Sequence, residues 1–84
     1  MTDHTVLALG SIAVAGLTIA IGAFGAAMGE SRIGAAGMDA LARQPDEAGS
    51  ITRNQFVALA MVESTAIFCL VISLVLLFAN PLLG

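Results

Sequence analysis

This sequence has little charge. Its 84 residues include three basic side chains, all arginine (Arg32, Arg43, Arg53), and six acidic ones, so charged residues make up 11% of the chain and the net charge is -3. A water-soluble domain this small has a large surface for its volume and needs many polar side chains to cover it. The chain lacks them. The acidic balance argues against a nucleic-acid partner, which selects for a basic face. Cysteine is almost missing as well. The single thiol, Cys69, stands inside an apolar run, so no intrachain disulfide and no zinc-type spacing can form, and it reads as a small packing residue. His4 has no clustered ligand partner. No nucleophile–base constellation or phosphate-binding loop appears, so an enzyme is not expected. The shortage of charge is not disorder, because disordered chains are also poor in apolar residues. This one is 58% hydrophobic, with a mean hydropathy of +0.98. That is the composition of a membrane protein.

Two long runs carry the hydrophobicity. Thr5 to Gly29 has no charged residue, and Phe56 to Leu83 has one, Glu63. Each exceeds the roughly 20 residues a helix needs to cross about 30 Å of hydrocarbon. The stretch Arg43 to Gln55 between them holds Pro45, Asp46, Glu47, Gly49, Ser50, Thr52, Arg53 and Asn54, which is turn chemistry. The expectation is an all-α membrane protein, one transmembrane hairpin over residues 1–84. It has a first helix over about 5–42, a loop over about 43–50 and a second helix over about 51–80, closed by Asn80-Pro81. The leading residues lack Lys and Arg, and the first run is longer than the apolar core of a signal peptide, so a span rather than a cleaved leader is expected. All three arginines lie in or beside the central segment, which places the loop in the cytoplasm and both termini outside.

The first run is rich in small residues: Gly25 and Gly29 are four apart, and Ala23, Ala27 and Ser31 form a second series. Residues four apart share a helix face, and small-xxx-small spacing lets another backbone approach closely in lipid. Small residues at 23, 25, 27, 29 and 31 cover more than one face. This suits either a contact within one hairpin or a helix packed on two sides against copies of itself. The second run is bulkier and suits a layer facing lipid.

Glu63 lies ten residues past Arg53, about 15 Å along a helix and so near the middle of the hydrocarbon. A carboxylate there costs at least about 2.5–3.5 kcal/mol on insertion scales and is a functional-site candidate by default. Glu30 is its expected partner. The midpoint of positions 30 and 63 falls at Asp46–Glu47, so a symmetric hairpin folded there brings the two to the same depth. Such carboxylates titrate as a coupled pair. In lipid the pair is neutral with two protons, or with one proton and one sodium ion. Arg32 is two residues from Glu30, does not face it on the helix, and is expected to snorkel toward the cytoplasm. Ser64 and Thr65 add hydroxyls beside Glu63, although either can instead bond the carbonyl one turn back.

Three features in order resemble the rotor c subunits of bacterial rotary ATP synthases, across nearly the whole chain. They are the run Ala23-Phe24-Gly25-Ala26-Ala27-Met28-Gly29-Glu30-Ser31, the turn Ala42-Arg43-Gln44-Pro45-Asp46 and the triplet Glu63-Ser64-Thr65. The resemblance implies a homo-oligomeric ring in the bacterial inner membrane, with the first helix inside, the second outside, and lipids around it. It implies Glu63 as the ion-carrying carboxylate. It places Arg43, Gln44 and Pro45 against the gamma and epsilon subunits of the central stalk, and Gly25, Gly29, Ala23 and Ala27 in ring packing. The stator protein of the membrane sector would supply an arginine and two half-channels. No cofactor is implied, and the ring itself does no covalent chemistry.

The chain departs from the family where Ala23, Ala27 and Ser31 replace glycines, which favours a wider ring, and at Glu30, where sodium-binding relatives carry glutamine. Some members of the sodium-type and N-type branch have this second carboxylate, so the resemblance covers the F-type and that branch alike. The transported ion is H⁺ or Na⁺. Glu30, Glu63, the Ser64 hydroxyl, the Met61 carbonyl and a water near Thr65 form an oxygen set able to hold sodium. Phe68 lacks the tyrosine hydroxyl common in sodium-binding relatives, and the extra carboxylate favours proton uptake, so the residues lean toward protons. A holin-like permeabilising hairpin or a structural membrane component is the competing class. The permeabilising hairpin would not need two carboxylates at matched depth, and replacing Glu63 with Gln separates both classes from the rotor reading.

Overall fold

The computed structural model describes residues 2–83. The chain folds as two antiparallel helices: α1, Asp3–Arg43, and α2, Ala48–Phe78. They are joined by one 3-10 turn, Pro45–Glu47, and a second 3-10 turn, Pro81–Leu83, follows α2. Together they make a rod with extents of 64 × 16 × 10 Å.

Local chemistry sets the ends. Thr2 caps α1, its hydroxyl oxygen accepting from the Thr5 N–H at 3.1 Å, and Asp3 follows in the first turn, where a negative charge complements the helix dipole. At the other end Pro45 disfavours the helical conformation at Gln44, which adopts φ -135° and ψ 69°. Pro45 then opens the 3-10 turn, where its missing N–H leaves no donor unpaired. The Glu47 N–H donates to the Gln44 carbonyl at 3.0 Å. The loop is therefore shorter than the expected 43–50. Gly49, Ser50, Thr52, Arg53 and Asn54 are polar but belong to α2, whose first turns run on beyond the apolar stretch. Helix 2 also ends earlier than the expected 80, at Phe78. There Asn80 stops it, its side-chain oxygen accepting from the Leu82 N–H at 2.9 Å.

The core is a seam one residue wide. Ala15, Ala26 and Gly37 of α1 and Ala66 and Ser73 of α2 are buried, with Asn80 just beyond. Leu17, Ile21, Phe24, Phe56, Met61, Phe68 and Phe78 are all exposed. Helices apolar all round, with their large side chains outward, need a hydrocarbon environment or further copies to cover them. Both helices are long and apolar enough to cross a membrane.

Small and polar residues build the seam. The Ser73 hydroxyl donates to the Ala15 carbonyl at 2.8 Å, and the Asn80 side-chain amide donates to the Ser11 hydroxyl oxygen at 2.6 Å. At Gly22 an added Cβ would stand 2.7 Å from the Cys69 Cβ, so the two backbones approach there as only glycine allows. Gly29 lies against Val62, and the Gln55 amide lies over Gly37. Each of these pairs is centred between Gln44 and Glu47, so the register is set by the turn.

Candidate functional site

Glu63 stands midway along α2, with equal lengths of helix on either side. Glu30 arrives beside it from α1, and the two carboxyls lie within hydrogen-bonding reach of each other. The hairpin thus brings together the pair expected from its symmetry. The setting is open: Glu63 is exposed on the surface of the hairpin and Glu30 is half-buried at the edge of the seam. Enclosure of Glu63 must come from something outside this chain.

The remaining expected site residues do not gather round the pair within one hairpin. An α-helix advances about 100° per residue. Met61 and Thr65 are each two positions from Glu63 and so stand about 200° round the axis from it, on the opposite flank of α2. Phe68 and Met61 are strongly exposed there, at 71% and 69%. Ser64 lies between the flanks, exposed, and its hydroxyl donates to the Ala60 carbonyl at 2.9 Å. That bond occupies its hydrogen and leaves its oxygen free to accept. The carboxylates occupy one long flank of the rod, and Met61, Thr65 and Phe68 occupy the other.

The small residues divide the same way. Gly29 belongs to the seam of the hairpin itself. Ala23 and Ala27 are exposed on the side of the carboxylates, and Gly25 is exposed on the opposite flank with open space beside it. Arg43, Gln44 and Pro45 are exposed at the tip, where Arg43 Nε makes a 3.3 Å ion pair with Asp39 in the preceding turn.

Similarity to known proteins identifies the family of the chain. The family profile for the C subunit of ATP synthase matches residues 13–76. An ATP synthase c subunit of Cereibacter sphaeroides, the one numbered 2, is 54% identical over 84 residues, all of both chains. The ATP synthase c subunit of Petrotoga mobilis is 47% identical over 73 residues, 87% of this chain and 76% of that one. That of Natranaerobius thermophilus is 39% identical over 84 residues, 100% of this chain and 98% of that one. The chain belongs to the ATP synthase c-subunit family. As a member of that family with two apolar helices it is a membrane protein, and family membership supports a rotor role in a complex with other ATP synthase subunits.

The polar ties of the seam, Ser73 to Ala15 and Asn80 to Ser11, were not among the expected functional residues. Their signal was present, since Ser73 and Asn80 are seven apart and in line with Ala66 and Cys69 on one face of α2.

Proposed function

We propose that this chain is the ion-carrying component of a membrane rotor ring, and that the ion is a proton held at Glu63 with Glu30 as its partner. The observation that carries this reading is the meeting of Glu30 and Glu63 on an exposed flank, halfway along an otherwise apolar α2. A permeabilising or purely structural hairpin has no use for two acids placed at one depth where charge is costly.

The split between flanks favours many copies side by side. In a ring of identical hairpins, the flank of one copy meets the opposite flank of the next. The carboxylates of each hairpin then face Met61, Thr65 and Phe68 of its neighbour, and the site closes between copies. Protonation neutralises Glu63 for its passage through lipid. A half-channel and an arginine on the stator protein discharge it. The exposed tip at Arg43, Gln44 and Pro45 docks the gamma and epsilon subunits of the central stalk, on the cytoplasmic side of a bacterial inner membrane. Nucleotide chemistry takes place elsewhere in the complex.

Carbodiimide labelling of Glu63 in the isolated ring tests both the site and the ion, because the reagent attacks the protonated acid. Labelling at Glu63 that neither Na⁺ nor K⁺ suppresses is expected. Protection by millimolar Na⁺ but not by K⁺ would make sodium the ion, held by the oxygens of Glu30, Glu63, Ser64 and Met61.

A further inference from the structure

Arg32 is left without an explanation by the site so far. It is exposed on α1, and among the described residues its guanidinium makes no ion pair, the chain's salt bridge being that of Arg43 with Asp39. It borders a shallow depression of about 280 Å³ shared with Phe24, Ala27, Met28 and Ser31, an apolar neighbourhood for a cation. Snorkelling does not relieve it. Arg32 lies only about 3 Å along the axis from Glu30, which shares the depth of Glu63 at mid-membrane, so roughly 12 Å of hydrocarbon separates it from the nearer headgroups. An arginine side chain is shorter than that.

The position of Arg32 relative to Glu30 resolves the difficulty. Two residues apart on a helix means about 200° round the axis. Glu30 faces the flank it shares with Glu63, so Arg32 stands on the far side of α1 from it, toward the flank that carries Gly25 two turns away, and at nearly the same height as Glu30. A hairpin with an anion on one flank and a cation on the other is complementary to a copy of itself placed alongside in the same orientation. We propose that in the assembled ring Arg32 of each hairpin pairs with Glu30 of the adjacent copy, leaving Glu63 as the one carboxyl that exchanges an ion. The proposal rests on the ring reading and deepens it. The planar guanidinium can meet a carboxylate with two parallel hydrogen bonds and keeps its charge in a site of low dielectric. Charge counting then changes. A loaded hairpin is neutral with a single proton, because the negative Glu30 is balanced by its neighbour's arginine. Each hairpin carries one ion, not two.

Cross-linking tests the geometry. In a C69A background, the double variant E30C/R32C is oxidised in native membranes. The matched control is A23C/G25C, one heptad away, with the same two flanks and the same two-residue offset. Ladders of linked hairpins from both are expected. A ladder from the control alone overturns the Arg32–Glu30 pairing while leaving the ring intact. No ladder from either removes the ring reading itself.

The charge relation has its own test. R32Q alone should lower the yield of detergent-resistant ring by about fivefold, because it strands Glu30, whereas E30Q/R32Q should restore it to within about twofold. A double variant no better than R32Q would overturn the pairing, even if the cysteines cross-link.

Discussion

The hydroxyl of Ser73 reaches 58 residues back along the chain to donate a 2.8 Å hydrogen bond to the carbonyl of Ala15. Ser73 is only 3% exposed, so this bond lies within the seam and joins the two helices directly. Hydrogen bonds between membrane helices contribute about 0.6 kcal/mol on average and up to roughly 1.7 kcal/mol. Ser73→Ala is expected to lower the thermal stability of the detergent-solubilised ring by an amount in that range. Denaturation followed by circular dichroism checks it. Unchanged stability would mean that the bond adds nothing to the hairpin.

Gly22 makes a sharper prediction. A methyl group there meets Cys69, so Gly22→Ala should destabilise the hairpin by about 1–3 kcal/mol, as overpacked cores are destabilised. Cys69→Gly in the same chain removes the obstructing atoms and should recover most of the loss. Failure of the second change to rescue the first would place the strain elsewhere.

Glu63→Gln keeps the shape and a polar end but removes the exchangeable proton. Rings should still assemble, while ion transport and coupled ATPase activity fall to background in membrane vesicles. Residual coupled transport would assign the carrier role to Glu30.

Ser64→Ala is expected to leave proton transport nearly unchanged, because the hydroxyl hydrogen is already given to the Ala60 carbonyl. If protons move through a network that includes Ser64, vesicle acidification rates will drop sharply instead.

Arg43→Ala separates stability from coupling. The Arg43–Asp39 pair is exposed and four residues apart on one helix, so its loss should change stability by only about 0.3–0.5 kcal/mol. A docking role at the tip predicts looser coupling of ATP hydrolysis to transport, measured as ATPase activity that no longer responds to carbodiimide.

Much of this architecture could be read from the residues. The two spans followed from the scarcity of charge, and the approach of Glu30 to Glu63 followed from symmetry about the turn, since both helices rise equally per residue. The turn itself was overestimated. The polar string from Gly49 to Asn54 has loop composition, yet it lies on α2 because Pro45 starts the returning chain in helical geometry and nothing after it stops the helix. The division of small residues was hidden for another reason. Gly22, Gly25 and Gly29 are alike as letters, and only the placement of α2 sends Gly22 and Gly29 to the seam and Gly25 to open space. The separation of Glu63 from Met61 and Thr65 onto opposite flanks follows from helical period alone, but it matters only once α2 has a defined inner face.

The two polar ties near the open end of the hairpin also limit how it can move. Ser73 binds α2 to α1 and Asn80 binds the segment just after α2 to α1, while the Gln55 amide lies over Gly37 toward the turn. A swivel of α2 about its own axis would break both ties at once and drive Cys69 out of the hollow at Gly22. The hairpin is therefore tied against twisting at several levels along its seam, and side-chain rotamers are the freedom left to the Glu63 carboxyl relative to Glu30.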